Sequence, residues 1–136
     1  MSLAATTQLT FRYILVDFLA YLLILYSSNI YVERYEEEIL TPKRANLRIR
    51  LRFNQTHLLE INEAIIVADN QLDFLDYRYH FQDENNCLIF RYDSTPHFPN
   101  LPNFPHHKHL PNDVIASEKP EITQVLKEAT QILASN

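Results

Sequence analysis

The stretch ANLRIRLRFNQTHLLEINEAIIVA, residues 45–68, decides the fold. Residues 45–53 alternate without a break, with Leu47, Ile49, Leu51 and Phe53 on one parity and Arg48, Arg50 and Arg52 on the other. A period of two is the signature of a β-strand with one face on a core and the other in water. After the polar break at residues 54–56, HLLEINEAIIVA (57–68) reads as a second run rich in Leu, Ile and Val. So short a break joins antiparallel neighbours, so the pair predicts a hairpin.

Working outward, the pattern repeats. Residues 30–40 alternate around Ile30, Val32 and Tyr35. LDFLDYRYHFQ (72–82) alternates around Phe74, Tyr77, Tyr79 and Phe81, and NCLIFRYD (86–93) follows after another short break. HHKHL (106–110) reads as a short extended piece. The ends differ. Residues 9–27 are rich in Leu, Ala and Ile and predict a helix. In PEITQVLKEATQILASN (120–136), Pro120 suits a first helical turn, and Ile122, Val125, Leu126, Ala129, Ile132 and Leu133 fall three or four apart, on one apolar stripe. The expected class is α+β: an antiparallel β-meander of about five to six strands with an N-terminal and a C-terminal helix, one domain over residues 1–136. With 46% hydrophobic residues in 136, the chain can build a real core.

The composition narrows the chemistry. The chain has no glycine, which excludes the glycine-rich phosphate cradles of nucleotide-binding loops. Turns that need positive φ must use Asn or Asp, at FNQT (53–56), ADNQ (68–71) and DENN (83–86). A single cysteine, Cys87, excludes an internal disulfide and points to a reducing, cytoplasmic setting. The apolar run YILVDFLAYLLILY (13–26) contains Asp17, falls short of the roughly 20 residues a bilayer needs, and lacks a signal peptide's basic start and cleavage site. It reads as a buried helix, with no membrane partner expected.

Net charge is −5, unfavourable for a general nucleic-acid binder. The charge is uneven, however. VERYEEEI (32–39) is acidic, whereas KRANLRIRLR (43–52) holds only cations. Arg48, Arg50 and Arg52 on one strand face can follow a phosphate backbone. Alternatively they answer Glu33 and Glu36–Glu38 across a hairpin. Both hold if part of the row is neutralised. Glu60 and Glu63, three apart on a strand, face opposite sides and read as a solvated face or as partners of the arginines. The aromatics of 76–93 fit base stacking or, more simply, sheet packing.

The second informative stretch is FRYDSTPHFPNLPNFPHHKHLP (90–111), which holds His97, His106, His107 and His109 among five prolines. Proline limits backbone freedom, so a loop of this kind holds imidazoles at fixed positions. In extended backbone His107 and His109 share one face, with His106 and Lys108 on the other. Paired imidazoles supply a base and an acid near neutral pH, enough to cleave RNA without a metal or cofactor, because the 2′-hydroxyl is the nucleophile. Arg91 would neutralise phosphate and Asp93 would orient an imidazole. Three other readings stay open: a metal site of His107, His109, His97 and Asp93, a non-catalytic protein-interaction module with this His/Pro loop as a rigid docking surface, and purely structural histidines.

Residues 77–109, YRYHFQDENNCLIFRYDSTPHFPNLPNFPHHKH, resemble the signature of the TumE-like family, toxin components of bacterial toxin–antitoxin pairs. That signature runs approximately Tyr-Ser-Tyr-His, a turn, Arg-Tyr/Trp-Asp-Asn-Ala-Pro-His, then Phe-Pro-His-His-x-His. The order of helix, basic strand, LLEINE, signature and C-terminal helix also fits, so the resemblance covers nearly the whole chain. The chain departs at Ser94-Thr95, where the family has Asn-Ala, and at NQT, where the family has a glycine. The resemblance implies a small cognate antitoxin, often a helix-turn-helix protein, and an RNA-cutting activity; homo-oligomerisation stays open. The expected roles follow: His107 and His109 as base and acid with His97 third, Arg91 and Lys108 on the transition state, Asp93 as orienter. Arg48, Arg50, Arg52, His80 and His106 would bind the strand.

Overall fold

A computed structural model describes residues 29–69 and 71–135. They form one sheet of seven strands: β1 (Ile30–Thr41), β2 (Arg44–Phe53), β3 (His57–Ala68), β4 (Gln71–Gln82), β5 (Leu88–Asp93), β6 (His107–Leu110) and β7 (Asp113–Ala116). Each strand lies beside its neighbour in sequence, and every pairing is antiparallel. A helix, α1 (Ile122–Ala134), closes the chain. The meander and the C-terminal helix agree with the expectation, but the strand count exceeds five to six, because residues 107–116 form a full hairpin. The helix expected over 9–27 lies outside the described residues. Among the described residues no helix is long and apolar enough to cross a membrane.

Asn and Asp take most of the positive-φ turn positions, as expected of a chain without glycine, but Gln55 takes one as well. Asn54 (φ 51°) and Gln55 (φ 63°) both take the left-handed region, and Thr56 N donates to Phe53 O at 3.0 Å. Two consecutive positive φ values at the centre of the turn 53–56 match the right-handed twist of the flanking strands. Asp69 (φ 52°) and Asn86 (φ 63°) serve the next two turns. Asp83 steadies the second of these by accepting from Asn85 N at 2.8 Å and Cys87 N at 3.0 Å.

Alternation then sorts the sheet into two faces. Leu47, Ile49, Leu51 and Phe53 on β2, Leu59, Ile61 and Ile65 on β3, Tyr77, Tyr79 and Phe81 on β4 and Phe90 on β5 are buried with Val125, Leu126 and Ala129 of α1. Burying each large side chain stabilises by about 1.5–3 kcal/mol, and a change such as Leu51→Ala should cost about 2–5 kcal/mol. The other face carries the charged parity. There Arg48, Asn62, Arg78, Asp93 and His107 stand directly opposite one another, strand to strand. The next such row is Arg50, Glu60, His80, Arg91 and His109.

Candidate active site

The strand register brings three titratable side chains together at one end of the outer face. His107 and His109 are two apart on β6, so both imidazoles point to the same side, and Asp93 on β5 sits opposite His107. His107 Nε2 is 2.8 Å from Asp93 Oδ1, His109 Nε2 is 3.3 Å from Asp93 Oδ2, and the two Nε2 atoms are 3.0 Å apart. The Pro-rich loop folds back over them. Phe98 stands edge-on to both imidazoles, at 5.0 Å from His107 and 5.9 Å from His109. Thr95 N donates to Asp93 Oδ1 at 3.1 Å. A carbonyl only accepts, so the 2.9 Å contact between His107 Nδ1 and Pro105 O places a hydrogen on Nδ1.

The two histidines therefore differ in access. His107 is 1% exposed and sealed under Phe98. His109 keeps 22% of its side chain in contact with water. Its Nδ1 has no partner, yet among the described residues the one buried side-chain polar atom without a partner is Glu63 Oε2, so Nδ1 faces water. Burial holds His109 below the usual imidazole range, helped by the charges of His107 and Arg91 and opposed by Asp93.

Arg91 stands beside His109 in the same row, and its Nε donates to His80 Nδ1 at 3.1 Å. That contact leaves the His80 hydrogen on Nε2, which donates to Gln82 Oε1 at 2.9 Å. His80 is held below its ordinary value chiefly by burial, with Arg91 and Arg78 adding to the effect.

Beside the cluster, from Ser94 and Thr95 onward, lies an open groove of ≈ 920 Å³, lined by Arg44, Arg48, Asn62 and Arg78 and also by Glu60 and Asp76. The expected arginine row divides. Arg50 is tied to Glu60 at 2.6 Å and Arg52 to Glu33 at 2.7 Å. Glu33 is held low by its hydrogen bond with Arg52. Among the described residues Arg44, Arg48 and Arg78 have no carboxylate within ion-pair distance. All three line the groove, together with Arg34, which is tied to Glu36.

Three expected site residues stand elsewhere. Lys108 projects to the inner face, where its Nζ is 2.8 Å from Glu128 Oε2 on α1, so it does not reach the cluster. Parity along β6 forces this, since Lys108 lies between two outward histidines. His106 stacks on Tyr77, ring centroids 5.7 Å apart, and bonds its hydroxyl at 2.9 Å. His97 is exposed on the loop with its ring edge-on to Phe98, apart from the Asp93 cluster. Sequence reasoning missed Arg78, although its parity with His80 in an alternating strand was a usable signal. It also missed Phe98 and the Pro105 carbonyl, which no sequence pattern marks.

Residues 20–135 match the family model described as Toxin TumE. The chain belongs to the TumE toxin family. No curated protein and no solved structure matches it. Membership in the TumE family gives the chain a toxin's role and implies a cognate antitoxin. The cluster lies on the TumE signature, between Tyr77 and His109, as do Tyr77, Arg78, Ser94, Thr95 and Pro96 of the groove.

Proposed function

We propose that this TumE-family chain is a cytoplasmic endoribonuclease that needs no metal and cuts RNA beside His109, with the strand lying in the groove of Arg44, Arg48 and Arg78. The observation that carries this reading is a carboxylate-held imidazole pair whose Asp93 is followed directly by Ser94 and Thr95, which line a groove holding the unpaired Arg44, Arg48 and Arg78. Free guanidinium groups bind phosphate oxygens, and they are worth most where no carboxylate competes.

The roles follow from position. Asp93 and His107 hold His109 by its Nε2, so Nδ1 is the outward atom that takes the proton of the 2′-hydroxyl. The 2′-oxygen then bonds to phosphorus, and the bond from phosphorus to the 5′-oxygen breaks. The departing oxygen takes a proton from water, leaving a 2′,3′-cyclic phosphate and a 5′-hydroxyl. Arg91 lies next to His109 and faces the charge that builds on the phosphoryl oxygens. His107, buried, positions His109 and does not touch the substrate. This replaces the equal division of acid and base between the two that the His-x-His spacing suggests.

The test is induced expression of the wild type and of His109→Ala, reading growth and total RNA. Growth arrest with fragmented RNA is expected of the wild type alone, relieved by the cognate antitoxin, which we take to be a small helix-turn-helix protein. Arrest with intact RNA would overturn the reading.

A further inference from the structure

The Asp93–His107–His109 cluster contains more than acid–base positioning requires. Three side chains form a triangle: His107 Nε2 and His109 Nε2 stand 3.0 Å apart, the first 2.8 Å from Asp93 Oδ1 and the second 3.3 Å from Asp93 Oδ2, and one ligand atom from each residue lies within 4.8 Å of the others. Because Pro105 O fixes the hydrogen of His107 on Nδ1, a neutral His107 turns a bare Nε2 lone pair toward a carboxylate oxygen. Acceptor faces acceptor, which is unfavourable unless a cation stands between them. A single proton bridges only one edge of this triangle. A metal ion satisfies all three at once.

The dimensions agree. Zn–N bonds of about 2.0–2.1 Å and Zn–O bonds of about 2.0–2.2 Å place tetrahedral ligands roughly 3.3–3.5 Å apart. The nearest contacts, 2.8–3.3 Å, fall just inside that span and the full spread of 4.8 Å lies outside it, so side-chain rotation brings one atom from each residue to ligand distance. The outer contacts also agree. A ligating imidazole ordinarily gives its other N–H to a carbonyl or carboxylate, and His107 gives Nδ1–H to Pro105 O. Thr95 N holds the carboxylate. Phe98 stands edge-on to both rings, and Asp93 and His107 are 4% and 1% exposed, so two of the three ligands are shielded from water and all three are preset by strand register. Two imidazoles and a carboxylate with no thiolate suit a divalent first-row ion such as Zn²⁺.

We propose that Asp93, His107 and His109 form a binding site for a divalent transition-metal ion, and that its occupation silences the toxin. The second half rests on the ribonuclease reading above. A metal on His109 Nε2 leaves the ring's one hydrogen on Nδ1, the atom that would otherwise take the 2′-hydroxyl proton. The base is then gone while the fold is held more tightly.

The experiment uses the full chain, purified without a histidine tag and stripped with EDTA. Titration with Co²⁺ is expected to give a visible ligand-field spectrum that saturates at one equivalent and is displaced by Zn²⁺. His109→Gln, whose side chain is partly exposed and tolerates change, removes a ligand. It should weaken Zn²⁺ binding by more than the about 10–100-fold typical of outer-shell changes. A His97→Ala/His106→Ala variant should bind as the wild type does. No spectrum and no retained metal would overturn the site, as would binding lost with His97 and His106 but kept in His109→Gln.

RNA cleavage by the same samples separates the two proposals. Cleavage by stripped protein, stopped by one equivalent of Zn²⁺ and restored by EDTA, supports both. Metal bound with no cleavage under any condition leaves the site standing and ends the ribonuclease reading. Cleavage that appears only with metal keeps the site and overturns silencing. Cleavage by stripped protein that binds no metal leaves the ribonuclease and ends the metal proposal.

Discussion

Two carboxylates are buried in the same sheet, on opposite faces, and the molecule treats them differently. Asp93 on the outer face is 4% exposed and Glu63 on the inner face is 3% exposed. Asp93 has two imidazoles and a backbone N–H around its two oxygens. Glu63 accepts one hydrogen bond, from Tyr79 Oη to Oε1 at 2.6 Å, and its Oε2 has no partner. Lys119 lies near Glu63, its ammonium 3.9 Å from the Phe74 ring centroid with Tyr77 and Tyr79 close by. Burial pushes the Glu63 carboxyl up, with Tyr79 and Lys119 pulling it down and Glu121 adding to the rise. Burial likewise lowers Lys119 against the pull of Glu63 and Glu121. Depth alone therefore does not mark a site. Asp93 sits between two imidazoles, one of them open to water, whereas Glu63 sits beside Tyr77 and Tyr79 with the Lys119 ammonium nearby.

The sharpest way to break this comparison is to neutralise each carboxylate in turn. Asp93→Asn takes the carboxylate away from two imidazoles and from Thr95 N, and disrupting a buried hydrogen-bonded contact costs about 1–3 kcal/mol. Chemical denaturation should register that loss, and cleavage should fall with it. An Asp93→Asn protein as stable as the wild type would put the two carboxylates in one class. Next in size is the groove. Arg48→Ala/Arg78→Ala should weaken RNA binding and reduce the slope of log affinity against log salt by roughly 1.4, about 0.7 per lost cation on a single strand. Arg52→Ala, whose charge is already answered by Glu33, should change that slope less.

A smaller effect separates the faces of β6. Lys108→Met removes the ammonium that joins Glu128, so the melting temperature should drop by an amount corresponding to about 1 kcal/mol. Cleavage should stay at the wild-type rate. A selective loss of cleavage with no loss of stability would return Lys108 to the site.

The smallest effect belongs to Glu63→Gln. A carboxyl raised above its unfolded value makes the folded state costlier to hold as pH rises through the folded pKa, and the cost vanishes below the unfolded one. The variant should therefore match the wild type near pH 4 and exceed it increasingly toward pH 8. The expected gain is on the order of 1 kcal/mol, read as melting temperature against pH with cleavage unchanged. A gain that is the same at pH 4 and pH 8 would contradict the assignment.

Much of the fold was legible because period two is hard to mistake. Strict alternation in residues 45–53 set the buried face of β2, and polar breaks without glycine placed the turns at Asn54, Asp69 and Asn86. The hairpin of β6 and β7 was not fully legible. A four-residue strand such as Asp113–Ala116 is too short for a period to show, and it is a strand only because β6 offers it a ladder. At the site, parity within β6 was readable and separated His107 and His109 from Lys108. The meeting of that pair with Asp93 was readable only as a guess, since it depends on register between strands joined by a thirteen-residue loop, 94–106. Glu63 shows the same limit from the other side. Its spacing from Glu60 correctly placed the two on opposite faces. Glu60 went to the salt bridge with Arg50, but Glu63 went into the core rather than to water, a tertiary outcome that spacing does not encode.

The central claim is that the chain cuts RNA with the outward nitrogen of His109. The direct measurement is the single-turnover rate on an end-labelled RNA, comparing wild type and His109→Ala at matched melting temperature, with the new 3′ ends identified chemically. The account predicts a fall of about 10²–10⁴ in rate and 2′,3′-cyclic phosphate ends from the wild type. Equal rates for the two proteins, or no cleavage by either, would contradict it.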